Sequence, residues 1–440
     1  MRSFHSWLAT SLLVFASGKA RPSAPHTIQL ERYVGRHNLT NYRGQATVSL
    51  RDWIANTDLQ WYSTIQVGNP PQNLSVVFHF NFREVHTDDY FCSTVMYDTG
   101  STDLVLPMRN CTDCGSHTLF QPAGSQTFSR QPNVKLVGKY STGATTVPLR
   151  TSEVVNCTVN SDTVRLGELT SSGQWIVFCT EFPEVFRNMP MDGIMGMGVA
   201  PQSAADGIPT FWSWYYSGQL DEPVFAFYFV PGSEYRAEMT VGGVDESKFV
   251  GDIVWTDLNR NASILSEAYV VDFVSLDING RPALTTSNHS TGIAGGPPAP
   301  FTAGLIALDT GTAFLQTPDQ QSAEDLYRQI SPFITQIDSA GAWGPPCPLL
   351  DAVAPELTFT ISTDGQTITL PRSFFNLGEY PGLPGLCQAV FNSPTEPLED
   401  PTGAGRAVWL VGSPLLKAYY TVWNGLELRV GFATPVGPFI

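Results

Sequence analysis

The sequence predicts a mostly β protein of two related lobes, and three observations carry that prediction. The 440 residues exceed the roughly 250 to 300 that a single core usually organises, so two comparable cores are expected. Only 15% of residues are charged, and 33 Pro and 38 Gly divide the chain into short runs rich in Val, Thr, Phe, Tyr and Leu, a texture of many short strands. The third observation is a repeat. VMYDTGSTDLVLP, containing Asp98, and ALDTGTAFLQTP, containing Asp309, share one pattern: apolar residues, Asp-Thr-Gly-Ser/Thr, more apolar residues and a Pro.

Residues 1–20, MRSFHSWLATSLLVFASGKA, read as a secretory signal peptide, with an Arg, an apolar run from Trp7 to Ala16 and small residues after it. That run is too short to cross a bilayer, and no other segment approaches the roughly 20 apolar residues a spanning helix needs. A secreted, extracellular, soluble protein is the expectation. Asn-x-Ser/Thr sequons at Asn38, Asn73, Asn110, Asn156, Asn261 and Asn288 agree with a glycoprotein on that route.

Residues 21–51 are basic, with Arg21, Arg32, Arg36, Arg43 and Arg51 against Glu31, while the whole chain carries a formal charge of −16. This segment reads as a short propeptide of a zymogen: it would lie across an acidic cleft at neutral pH and leave once acid protonates the carboxylates. A solvated basic tail is the plainer alternative. The acidic body argues against nucleic acid or an anionic membrane as partner, since both are negative.

Residues 52–250 are expected to form the N-terminal lobe and 251–440 the C-terminal lobe. Two candidate strands, LSVVFHF and STVMYDTGS, compete for one place before Asp98, with a polar and charged stretch between them. Seven cysteines in an exported chain suggest three disulfides and one left over. Cys111 and Cys114 read as a tight loop bridge, order and spacing pair Cys157 with Cys179 and Cys347 with Cys387, and Cys92 remains. With no second CxxC and no HExxH, neither a metal nor a cofactor is expected.

Each Asp-Thr-Gly is trailed by an apolar-apolar-Gly: Ile194, Met195 and Gly196 after Asp98, and Leu410, Val411 and Gly412 after Asp309. One Asp-Thr-Gly is usually only a turn. Two in matched contexts mark a duplicated carboxylate site. Cutting a peptide bond with water needs a base for the water and an acid for the carbonyl oxygen or leaving amine, and two carboxyls sharing one proton can supply both. Such a pair titrates as a unit. The Gly after each Asp-Thr lets the backbone turn beside the carboxylate, and Ser101 and Thr312 are placed to donate to it. No GxSxG occurs, and DGIMGMG lacks the order of a dinucleotide-binding loop.

From about Trp61 to the C-terminus these motifs resemble the pepsin-like aspartic protease family, of a secreted, fungal type. WYSTIQVGNPPQ resembles the family's first strand and turn, VGGVDESKFVGDIVW the passage to the second lobe, and AYYTVWNGLELRVGFA the closing strands. The resemblance implies a bilobal acid protease fold with the active site in the cleft, catalytic Asp98 and Asp309, and substrate contacts around Gly100, Ser101, Gly311 and Thr312. It also implies a flap at KYSTGATT, with Tyr140, Thr142 and Gly143 against the substrate. The activity implied is a monomeric endopeptidase acting on proteins or peptides at acidic pH, between bulky apolar residues. A catalytically impaired member that binds proteins or carbohydrate is the alternative. Val105 departs from the pattern, standing where the family often has Trp.

The family also runs directly from its PPQ turn into the first Asp-Thr-Gly, whereas Gln72 and Asp98 are separated by a long stretch. Removing residues 76–93 restores the family pattern and leaves six cysteines. The segment therefore reads as an in-frame retained intron, with a true surface insertion as the alternative.

Overall fold

A computed structural model describes residues 44–52, 58–71, 92–140, 147–148, 153–182, 186–187, 189–199, 203, 207–233, 236–287, 297–301 and 304–437. Short strands dominate, as the Gly- and Pro-punctuated sequence implies.

The N-terminal lobe starts with β1 (Ala46–Asp52) and β2 (Trp61–Val67), followed by β3 (Cys92–Asp98) and β4 (Leu104–Pro107). Three longer strands come next, β5 (Ser129–Tyr140), β6 (Glu153–Leu166) and β7 (Leu169–Cys179), and then the short β8 (Gly193–Gly196). β4 and β8 are buried along their whole length, which explains continuous apolar runs where a half-exposed strand would alternate. β3 lies antiparallel to β2 and parallel to β8, with Asp98 opposite Gly196. β4 is antiparallel to β8 and parallel to β7.

Between the lobes, β9 (Val224–Tyr228), β10 (Ala237–Val241) and β11 (Phe249–Asp257) build a shared sheet. The C-terminal lobe repeats the N-terminal ladder with β12 (Tyr269–Phe273), β13 (Gly304–Leu308), β14 (Leu315–Gln316), β15 (Phe391–Asn392) and β16 (Val408–Val411). β13 is antiparallel to β12 and parallel to β16, while β14 is antiparallel to β16 and parallel to β15. The duplication read from two short motifs thus extends to strand direction. A short helix, α1 (Ser413–Leu416), follows β16, and the closing strands β17 (Tyr420–Asn424) and β18 (Arg429–Pro435) return to the shared sheet.

That sheet runs β11-β18-β17-β9-β10-β1 and continues through β2 into the N-terminal lobe. Aromatic side chains pack around it: Trp61 stacks on Phe229 at 4.2 Å, and Tyr269 of β12 meets Trp423 of β17 edge-on at 4.8 Å, joining the C-terminal-lobe ladder to the shared sheet. The three disulfides join Cys111 to Cys114, Cys157 to Cys179, and Cys347 to Cys387.

Two boundaries expected from sequence fall inside strands. The leader expected over residues 21–51 overlaps β1, which pairs five residues with β10 and sets Arg51 and Asp52 opposite Tyr62 and Trp61 of β2. Leu50 is fully buried there, so hydrogen bonding and burial hold this stretch inside the sheet whatever its charge. The far end of the anomalous segment 76–93 falls inside β3, where Cys92 and Ser93 lie opposite Gln66 and Ile65. STVMYD is therefore the strand that enters the fold, and residues 76–91 lie outside the described residues.

Candidate active site

Asp98 ends β3 and Asp309 directly follows β13, and both are completely buried at the junction of the lobes. Each carboxylate is held in the same way. Gly100 N–H donates to Asp98 Oδ1 at 2.9 Å and Ser101 Oγ to Asp98 Oδ2 at 2.5 Å. Gly311 N–H donates to Asp309 Oδ1 at 2.7 Å, and Thr312 Oγ1 donates to Asp309 Oδ2. Donors two and three residues downstream thus fix both side chains.

The two carboxyl loops touch. A Cβ placed on Gly100 would sit 2.8 Å from Asp309 Cγ and 2.9 Å from its Oδ1, so only glycine permits this approach. Thr99 and Thr310 lock the loops across the lobe boundary. Thr99 N–H donates to Thr310 Oγ1 at 3.1 Å, Thr310 N–H donates to Thr99 Oγ1 at 3.0 Å, and each hydroxyl donates onward to a carbonyl of the opposite lobe, Leu308 and Tyr97 respectively. A reciprocal buried network of this kind fixes the separation of the carboxylates more tightly than apolar packing would.

The trailing glycines serve the same loops. A Cβ on Gly196 would lie 2.4 Å from the backbone of Thr102, and one on Gly412 would lie 2.3 Å from the Thr312 carbonyl. Each apolar-apolar-Gly strand therefore ends against the loop of its own lobe. Behind the dyad, Tyr97 OH hydrogen-bonds Ser63 Oγ at 2.7 Å, and burial pushes its phenol far above the ordinary range, which keeps it neutral.

Not every expected residue is brought to this centre. Gly100, Ser101, Gly311 and Thr312, expected to contact substrate, are seen here holding the carboxylates. Tyr140 ends β5 opposite Glu153, and Thr142 and Gly143 lie outside the described residues. Val105 is buried in β4 and borders a small cavity that Phe182, Phe186, Met191, Asp192 and Ile194 also line. Among the described residues no cluster of His, Cys, Asp and Glu suited to a metal ion occurs. Sequence reasoning missed Thr99, Thr310 and Gln60, whose Nε2 reaches the Gly311 carbonyl at 3.1 Å. The threonines were legible as part of the repeat, whereas a contact 211 positions away was not.

The family model described as eukaryotic aspartyl protease matches residues 92–435. Pepsin B of Canis lupus familiaris is 27% identical over 381 residues, covering 86% of this chain and 81% of the relative. Cathepsin E of Mus musculus is 27% identical over 424 residues, covering 93% and 89%. A probable vacuolar protease A of Trichophyton verrucosum is 27% identical over 383 residues, covering 85% and 78%.

Proposed function

Because the chain belongs to the eukaryotic aspartyl protease family, and with it to the aspartic-type endopeptidases, we propose that it is an exported endopeptidase working in acid on proteins or peptides. The observation that carries this reading is the pair of buried carboxylates, each held by its own Gly-Ser/Thr turn and tied to the other by Thr99 and Thr310. One carboxyl takes a proton from water while the other gives one to the scissile carbonyl oxygen. The tetrahedral species then collapses as the leaving amine is protonated. Both steps need a single proton on the pair, which acid supplies. An intact dyad gives no support to an impaired binding protein.

Preference for bulky apolar residues beside the scissile bond, a monomeric state and an extracellular location complete the proposal. The signal-like residues 1–20 and the sequons support export. Residues 52–250, preceded by the rest of β1, and residues 251–440 serve as the two lobes, with Asp98 in one and Asp309 in the other. The leader is placed upstream of Ala46, because cutting at residue 51 would strip β1 from between β10 and β2. N-terminal sequencing of secreted protein is expected to find a first residue between 22 and 46; a start after Asp52 would remove this placement. Residues 76–93 are proposed to be retained intron sequence, with Leu74 and Ser75 standing in β3 where Cys92 and Ser93 now stand, an origin that the absence of splice signals around them in the gene would rule out. The activity itself is tested by hydrolysis of a denatured protein at pH 3 to 7 with and without pepstatin: cleavage confined to acid and blocked by pepstatin is expected, and cleavage insensitive to both would overturn the reading.

A further inference from the structure

Two side chains outside the repeated motifs cross between the lobes, one of them onto the loop that carries Asp309. Gln60, in the segment before β2, is fully buried and donates from Nε2 to the Gly311 carbonyl at 3.1 Å. Lys417, capping α1, donates from Nζ to the Asp58 carbonyl at 3.1 Å. Asp58 itself has a φ of 57°, a left-handed backbone that turns the segment sharply. Burial lowers Lys417 to about 8, which the nearby Asp58 and Asp52 oppose, and the Phe374 ring lies 4.7 Å from its Nζ. The N-terminal-lobe segment Asp58–Gln60 is thus pinned to the C-terminal lobe twice, by an ammonium and by a carboxamide.

The second pin acts on the loop that carries Asp309. Gly311 N–H holds Asp309 Oδ1, and the Gly311 carbonyl is the group Gln60 engages. A buried carbonyl needs a donor, and a glycine has no Cβ to stop its flanking peptides from rotating. We infer that Gln60 is a positioning residue for the dyad, holding the Gly311 turn so that the Asp309 carboxylate faces Asp98 in its working orientation. This rests on the protease reading.

The test uses the full chain with Gln60→Leu and Gln60→Glu, measuring kcat and KM from pH 3 to 7 and pepstatin affinity in parallel. Leucine fills the space without a donor; kcat is expected to fall by roughly 10- to 100-fold with KM nearly unchanged, the size of effect that slight misplacement of a reacting group produces. Glutamate in acid carries an O–H that can donate to Gly311. Once ionised it has no donor and adds negative charge next to the loop that carries Asp309, with Asp58 on the same segment, and Lys417 near Asp58 and Asp52, as the other charged groups. Gln60→Glu should therefore approach the parent at the acid end and lose activity and pepstatin binding at a lower pH than the parent does.

A merely structural role would lower the melting temperature and leave the pH limb in place, which would overturn the inference. Parent-like kcat in Gln60→Leu would also overturn it while sparing the protease reading. A parent that neither cleaves protein nor binds pepstatin would remove both.

Discussion

At the scale of single residues, the carboxylates divide between the dyad and groups that keep the protein folded in acid. Asp400 shows the second role. It is buried, which opposes ionisation, but donors from Arg406 and Thr402 outweigh that cost and lower its carboxyl from 3.8 to about 2. A lowered value means that Asp400 adds stability above its unfolded value near 4 and loses that contribution as pH falls toward 2. Arg406→Ala is accordingly expected to cost about 1 kcal/mol at pH 4 to 7, with the difference from the parent vanishing near pH 2. Thermal melts across that range check it, and a difference that grows toward pH 2 would contradict the assignment. The paired, buried aspartates were legible because the proposed chemistry demands carboxyl, Gly and hydroxyl in a fixed order. Gln60 was not, since a single glutamine before a strand carries no pattern.

At the scale of elements, the decisive strand is β3. Its residues 92–98 pair on both sides, with β2 and β8, and deliver Asp98 into the interior. LSVVFHF has equal strand character, so alternation could not choose between the two. The distance to the Asp-Thr-Gly chose correctly. In a chain without residues 76–93, Leu74 and Ser75 would take the places of Cys92 and Ser93, opposite Gln66 and Ile65, and the β2–β3 connection would shrink from residues 68–91 to six residues. Loop closure then costs about 1 kcal/mol less. The shortened protein is expected to melt a few degrees higher and to cleave at least as well as the full chain; failure to fold, or loss of activity, would show that the segment is a native loop. β1 carries two signals at once. ATVSLRD alternates, with Leu50 and Asp52 buried, while the basic charge around it reads as a propeptide, and hydrogen bonding to β10 holds the stretch in the sheet.

At the scale of the whole molecule, two lobes with one ladder pattern share a sheet and meet at two matching turns, Asp-Thr-Gly-Ser and Asp-Thr-Gly-Thr. The duplication was readable because each half must repeat the same sequence to build the same turn. The contacts between halves, Thr99 with Thr310 and Gln60 with Gly311, depend on how the lobes dock and leave no trace in local periodicity. The central claim is that neither lobe is competent alone, because the work is divided between Asp98 and Asp309. The most direct test compares acid hydrolysis of a denatured protein by the parent, Asp98→Asn and Asp309→Asn, each shown to be folded. Both variants are expected to lose at least about 1,000-fold in rate, as removal of one member of an acid–base pair implies. Retention of most of the activity by either variant would contradict the account.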